Sequence, residues 1–218
     1  MLKLYSYFRS SASYRVRIAL SLKGLDYQTV PVHLVRNEQR APDYLQINPA
    51  GLVPALAEDV QVFTQSLAII EYLNEIHPQP PLLPDRPADR ARVRAIALTV
   101  ACEIHPLNNL SVLSYLSATL GVDEAAKDAW YRHWVEKGLT TVERLLAGHP
   151  RTGTFCHGDS PTLADCCLAP QVFNALRFAC RLDHVPIVMG IYERCMDLEA
   201  FRRAAPGAQP DARENGHG

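Results

Sequence analysis

Residues 2–24, LKLYSYFRSSASYRVRIALSLKG, decide how this chain is read. Leu2 to Phe8 is an apolar run with the composition of a β-strand. Ser13 to Lys23 then places Val16, Ala19 and Leu20 on one face at helical spacing, and Gly24 stops the pattern. The stretch is strand, short turn, helix, and its turn carries a row of hydroxyls, Ser10, Ser11 and Ser13, between Arg9 and Arg15. The elements downstream of this unit set the fold, and the ligand that the hydroxyls hold sets the function.

Downstream, Tyr27 to Leu34 is β-branched and alternating enough for a second strand, with Pro31 pushing part of it toward a sheet edge. After a polar connection, Leu52 to Ala57 and Val60 to Phe63 read as two short strands joined by a turn at Glu58 and Asp59. SLAIIEYLNEIH, residues 66–77, is a helix with Ser66 placed to cap it. The order β, α, β, connection, β, β, α is that of a thioredoxin-like domain, two parallel strands followed by a hairpin.

Residues 77–90, HPQPPLLPDRPADR, contain five prolines and continue neither a helix nor a central strand. Beyond them helical periodicity recurs over Ala91 to Leu120, Asp123 to Ala147, Thr162 to Phe178 and Val185 to Phe201. The expected architecture is α/β plus all-α: a thioredoxin-like ligand-binding domain over residues 1–82 and an all-helical domain over residues 88–218. The final PGAQPDARENGHG lacks the apolar spacing to bury itself and reads as a loose tail.

The 218 residues, 48% of them hydrophobic, suffice for a substantial core. A formal charge of -1 with no dense Lys/Arg tract gives no footprint for a nucleic acid or a membrane surface and favours a small neutral or anionic ligand. No long apolar signal segment opens the chain and no later stretch reads as a membrane span, so the expected compartment is the cytoplasm. The six cysteines form no C-x-x-C pair and no zinc-like pattern with histidine, so no metal is expected. They read as reduced, mostly buried small residues. Adjacent Cys166 and Cys167 would point different ways on a helix, which disfavours a redox pair.

In a thioredoxin-like domain the turn after the first strand carries the reactive site, often as two cysteines. Here it carries Ser10, Ser11, Ala12 and Ser13. Without thiols the turn cannot perform dithiol exchange, but hydroxyls and unpaired helix amides can stabilise a thiolate that a ligand brings. Lowering a free thiol's pKa from about 8.5 by ~2 units takes roughly 2.7 kcal/mol. A charge-assisted hydroxyl bond with the helix dipole supplies that much. The alternative is that Ser10 or Ser11 only caps the helix. Two further features accompany the turn. Val53-Pro54 precedes a hairpin strand, where a cis proline would leave backbone groups for an extended peptide ligand. Gln65 and Ser66 stand at a helix start suited to a carboxylate.

Taken in order, YSYFRSSASYRVRIALSLKG, NPAGLVPAL, QSLAIIEYL and GDSPTLADCCLAPQVFNALRF resemble the zeta class of glutathione transferases over nearly the whole chain. The resemblance implies glutathione as a required co-substrate, with Ser10 and Ser11 near its sulfur. It implies that Val53, ahead of Pro54, pairs with the cysteinyl backbone and that Gln65 and Ser66 hold the γ-glutamyl end. Gln39, His105 and Asn109 occupy places from which the family reaches glutathione or the substrate, and His105 reads equally well as interhelical packing. Thr162 and Asp165, spaced as a capping box, match the family's buried helix start and are structural.

The implied activity is glutathione-dependent cis-trans isomerisation of maleylacetoacetate to fumarylacetoacetate, by thiolate addition, bond rotation and elimination. That chemistry needs positive charge over the substrate carboxylates and over the charge developing during addition. Arg9, beside the thiol, and Arg177, in NALRF, supply planar guanidinium forks for it. Their alternatives are a surface cation for Arg9 and a salt bridge for Arg177, while Arg15 and Arg17 read as structural. The family commonly has Ser-Ser-Cys where this chain has Ser10-Ser11-Ala12, which removes any chemistry needing a protein thiol there. Three rivals stand beside this reading. One is the same isomerisation on the shorter maleylpyruvate, mildly disfavoured by uncharged Leu110 after Asn109. The others are glutathione conjugation or dehalogenation of small α-haloacids, and a noncatalytic scaffold. The resemblance further implies a homodimer.

Overall fold

The computed structural model describes residues 1–214. They form two compact units, one of Met1–Leu82 together with the chain from Met196 onward, the other of Leu83–Cys195. This differs from the expected division at its far end: the last residues group with the sheet unit rather than with the helices.

In the first unit, β1 (Leu2–Ser6) leads through a turn into α1 (Ser11–Leu22), β2 (Tyr27–Pro31), α2 (Pro42–Ile47), β3 (Ala55–Glu58), β4 (Gln61–Thr64) and α3 (Ser66–Ile76). The sheet order is β2-β1-β3-β4, with β1 parallel to β2 and the other neighbours antiparallel. This is the βαβ-ββα arrangement that the sequence order implies. Leu4 and Leu56, partners across β1 and β3, are buried, as are Ile69, Ile70 and Leu73 of α3, each side chain contributing about 1.5–3 kcal/mol on burial. Residues 13–20 of α1 are buried on every face rather than along one stripe, because α3 and α9 (Glu199–Ala204) both pack on the helix.

β1, β2 and β3 are shorter than their expected runs, while β4 keeps its length one residue further on. β1 stops at Ser6 because the next peptides turn: Ser10 N–H bonds back to the Tyr7 carbonyl at 2.9 Å. β2 stops at Pro31, on the sheet edge where a missing N–H costs no ladder bond. The polar connection contains two 3-10 turns and α2, whose Pro42 suits a helix's first position. Gln65 rather than Ser66 occupies the cap position of α3, with Ser66 its first residue.

The tail is also corrected. Pro206, Gln209 and Asp211 are buried, and α10 (Pro210–Glu214) closes the described chain. Hydrophobic spacing gave no sign of this because polar bonds hold the segment: Asp211 accepts from Phe8 N–H at 2.9 Å, and Gln209 Nε2 donates to the Arg203 and Ala205 carbonyls. Residues 215–218 of that tail lie outside the described residues.

The second unit contains α4 (Pro87–Leu98), α5 (Leu110–Ala118), α6 (Glu124–Leu146) and α7 (Leu163–Arg177), and α8 (Pro186–Asp197) begins in it. The expected helix over 91–120 is broken into α4, a π-helical stretch Thr99–Ile104, a 3-10 turn His105–Asn108 and α5. Pro106 lacks the N–H that would continue the ladder, and Asn109 Oδ1 accepts from Val112 N–H to begin α5 afresh. By length and composition alone Pro87–Ala118 is apolar enough to cross a membrane, contrary to the sequence reading, but these breaks interrupt it. The expected helix over 185–201 likewise divides at Leu198, whose extended backbone separates α8 from α9.

Thr162 and Asp165 form the expected capping box at the start of α7. Asp165 is fully buried and also accepts from Cys156 N–H at 2.8 Å. All six cysteines are free, and Cys102 is exposed whereas the rest are buried.

Candidate active site

The sheet register gathers one end of the first unit. Ser6 pairs with Pro31, Tyr5 with Ala55, and Ala55 with Thr64. Antiparallel pairing therefore puts the turn after β1, the Val53-Pro54 approach to β3 and the Gln65-Ser66 exit from β4 side by side. Neighbouring strands stand about 4.7–4.9 Å apart, so the β1 and β4 ends are separated by roughly 10 Å.

At the β1 end, Ser10 is the N-cap of α1, its Oγ accepting from Ser13 N–H at 3.2 Å. That bond uses a lone pair and leaves the hydroxyl proton to donate. Ser10 is half-buried, whereas Ser11 is 5% exposed and the side chain of Ala12 brings no thiol. The capping role and the thiolate role, set as alternatives from sequence, are compatible in one residue. Arg9 is half-buried, with its guanidinium carbon 5.0 Å from the centre of the Phe8 ring.

At the β3 end, the Val53-Pro54 peptide is cis and Val53 stands just outside the ladder. The chain leading to it is fastened: the Leu52 carbonyl accepts from Tyr44 Oη at 2.6 Å and from Asn48 Nδ2 at 2.7 Å. Burial pushes the Tyr44 phenol up to about 12, so it remains a donor at neutral pH. Gln39, on the preceding connection, is 8% exposed, and its buried Oε1 has no hydrogen-bond partner among the described residues. A buried acceptor left so is an uncommon condition that a ligand donor would relieve. Gly51 (φ +61) lets the two segments approach, since a Cβ there would stand 3.2 Å from the Gln39 carbonyl.

At the β4 end, Gln65 has φ 66 and ψ 115, a conformation costing a non-glycine residue roughly 1–3 kcal/mol. Its exposed side chain makes no hydrogen bond among the described residues. Ser66 is buried, and its Oγ accepts from Arg15 Nη1 at 3.2 Å, so the amino-terminal halves of α1 and α3 are joined. Unpaired amides at the start of α3 complete a place for a carboxylate.

Three candidates lie in the second unit. His105 is half-buried and opens the 3-10 turn after the π-helical stretch. Asn109 uses its Oδ1 to cap α5, accepting from Val112 N–H at 3.1 Å and from Ser111 Oγ at 2.6 Å. Arg177 ends α7 with an exposed guanidinium 5.0 Å over the Phe178 ring, and forms no ion pair among the described residues.

Sequence reasoning leaves Arg17 as merely structural and does not find Tyr44, Asn48 or Asp211. Arg17 is fully buried, and its Nη1 and Nη2 donate to Ser6 Oγ at 3.0 Å and the Phe8 carbonyl at 3.0 Å. Burial lowers its pKa to about 10, still well above neutrality. The asparagine of NPAG is the one signal for the Leu52 fastening, since a side chain that bonds its own loop is typical of Asn.

The glutathione S-transferase N-terminal domain family model matches residues 1–75, and the C-terminal domain model matches residues 124–207. Maleylacetoacetate isomerase from Rhizobium meliloti is 52% identical over 203 residues, 93% of this chain and 95% of the relative. The holo structure of maleyl pyruvate isomerase, a bacterial zeta-class glutathione S-transferase, superposes with a TM-score of 0.94 at 49% identity, covering 96% of this chain and 99% of that one. A maleylacetoacetate isomerase from Methylobacterium extorquens AM1, solved with malonate and glutathione bound, gives 0.93 at 40% identity, covering 96% and 98%.

Proposed function

Because this chain belongs to the zeta class of the glutathione S-transferase family, we propose that it is a glutathione-dependent cis-trans isomerase converting maleylacetoacetate to fumarylacetoacetate. The observation carrying the reading is the row of three prepared strand ends at one end of the sheet: a hydroxyl with a proton to give, a backbone segment outside the ladder, and a helix start. Their span of roughly 10 Å equals the reach of an extended tripeptide at about 3.3–3.6 Å per residue.

When bound, glutathione supplies the thiolate whose reversible addition to the conjugated double bond allows rotation about it. In this reading Ser10, with Ser11 beside it, lowers the thiol pKa. Val53 ahead of Pro54 pairs with the cysteinyl backbone, Gln39 offers its buried oxygen, and Gln65 with Ser66 takes the γ-glutamyl carboxylate. Arg9 and Arg177 bind the substrate carboxylates and stabilise developing negative charge. His105 and Asn109 contribute contacts from the helical unit, Asn109 through the amide nitrogen that its capping role leaves available. The unit of residues 1–82 is the glutathione domain and the helices from residue 88 the substrate domain, in a cytoplasmic homodimer.

Maleylpyruvate is the second reading, since relatives named for either activity stand at similar identity. The test is to follow the absorbance of maleylacetoacetate with and without glutathione and to assay total glutathione before and after. Fast turnover requiring glutathione but leaving its amount unchanged supports isomerisation. Net loss of glutathione supports conjugation, and preference for maleylpyruvate transfers the assignment to that substrate.

A further inference from the structure

The two peptide groups leading into Arg9, Tyr7-Phe8 and Phe8-Arg9, are held by side chains from elsewhere in the chain. In the Tyr7-Phe8 peptide, the carbonyl accepts from Ser10 N–H at 2.9 Å and from Arg17 Nη1 at 3.4 Å, while the N–H donates to Asp211 Oδ2 at 2.9 Å. In the next peptide, the Phe8 carbonyl accepts from Arg17 Nη2 at 3.0 Å. The same guanidinium reaches the distant chain end, with Nε donating to the Ala204 carbonyl at 2.9 Å. Tyr7, Phe8 and Val53 also share one apolar cluster with Ala212. A segment about two hundred residues away in sequence thus grips the turn that aims Ser10, and it does so from within the same compact unit.

We propose that Asp211 is a positioning residue for the glutathione thiol site, acting with Arg17 through the Tyr7-Phe8 peptide to fix Ser10. This rests on the functional reading above only in naming glutathione as the ligand. Asp211 is 5% exposed, and its carboxylate replaces the strand partner that Phe8 N–H loses where β1 ends. Losing it leaves a buried donor unsatisfied and releases the turn on the side opposite Ser10 N–H. The segment from Ala204 to Ala212 is therefore a strap over the catalytic turn and not a dispensable tail.

The test compares Asp211→Ala, which removes the acceptor, with Asp211→Asn, which keeps an amide oxygen in its place. The full chain is titrated with glutathione by calorimetry and assayed for turnover. Asp211→Ala is expected to weaken glutathione binding roughly tenfold, and Asp211→Asn to recover most of it. A lower melting temperature with unchanged glutathione affinity and turnover would make Asp211 merely structural and overturn the proposal. Amide hydrogen exchange on the unmutated protein decides the matter should Asp211→Ala not fold. Binding and strap are reciprocally coupled, so saturating glutathione slows exchange at Phe8 and at Ala212. Exchange there indifferent to glutathione refutes the coupling. Glutathione binding with that protection but no isomerase activity would retain the strap and remove the functional reading.

Discussion

Ser10 caps a helix and has a proposed part in catalysis, and two substitutions separate the two. Its Oγ caps α1 through Ser13 N–H, and its remaining proton is the one proposed for the thiolate. Ser10→Ala removes both, costing about 1 kcal/mol of stability, or about 2–4 °C for a chain of this length. Ser10→Gly removes the hydroxyl too, yet glycine is a tolerated cap and costs only a few tenths of a kcal/mol. A charge-assisted hydrogen bond of about 2 kcal/mol corresponds to about 1.5 pKa units on the bound thiol. A shift from about 6.5 to about 8 reduces the ionised fraction at pH 7 by about eightfold. Both variants should therefore lose about eightfold in kcat/KM at pH 7, with most of the loss recovered above pH 9, while only Ser10→Ala melts appreciably earlier. Scanning calorimetry and a pH profile with saturating glutathione measure the two effects. Ser10→Gly with normal activity at pH 7, or an equal loss at every pH, would refute the assignment. Ser11→Ala, at the more buried position, should shift the profile less than Ser10→Ala does.

Replacing Arg177 by Gln should raise the substrate KM roughly tenfold while glutathione affinity and stability stay put, because the guanidinium is exposed, lies over the Phe178 ring and forms no ion pair among the described residues; steady-state kinetics in both substrates check this. Asp165→Ala strands the buried Cys156 and Thr162 N–H groups and should cost about 2–4 kcal/mol in chemical denaturation, with the glutathione affinity of the folded protein unchanged. A Cβ at Gly138 would lie 2.3 Å from Ile104 Cγ1. Gly138→Ala should consequently destabilise by about 1–3 kcal/mol, and Ile104→Ala in the same chain should gain back part of what the clash costs. The Asp159 carboxyl, held down by the Thr154 hydroxyl and N–H, should titrate below the ordinary aspartate value in a carbon-detected NMR experiment. Its depressed pKa makes its contribution to stability present above the unfolded value and lost as pH falls through the folded one, and Thr154→Val should move the titration back up.

The sequence by itself determined the order of elements and the chemistry on offer. Strand, serine turn and helix at residues 2–24, the hairpin, the proline-rich break and the capping box are local statements, and local periodicity and turn chemistry suffice to make them. It also supplied the hydroxyls, the guanidinium groups and the missing thiol at Ala12. It did not show where the ladders stop, because β1 ends where its backbone finds partners elsewhere and not where apolar residues end. Nor did periodicity foresee the π-helical and 3-10 interruption before Asn109, which a continuous helical pattern conceals. Tertiary structure alone decided that Arg17 and Asp211 hold the backbone leading into the serine turn. A buried arginine reads as structural and an aspartate in a polar tail reads as solvated until hydrogen bonds reach from Ala204 and Phe8 to claim them. Such bonds join residues about two hundred positions apart, and no pattern confined to neighbours along the chain encodes their geometry.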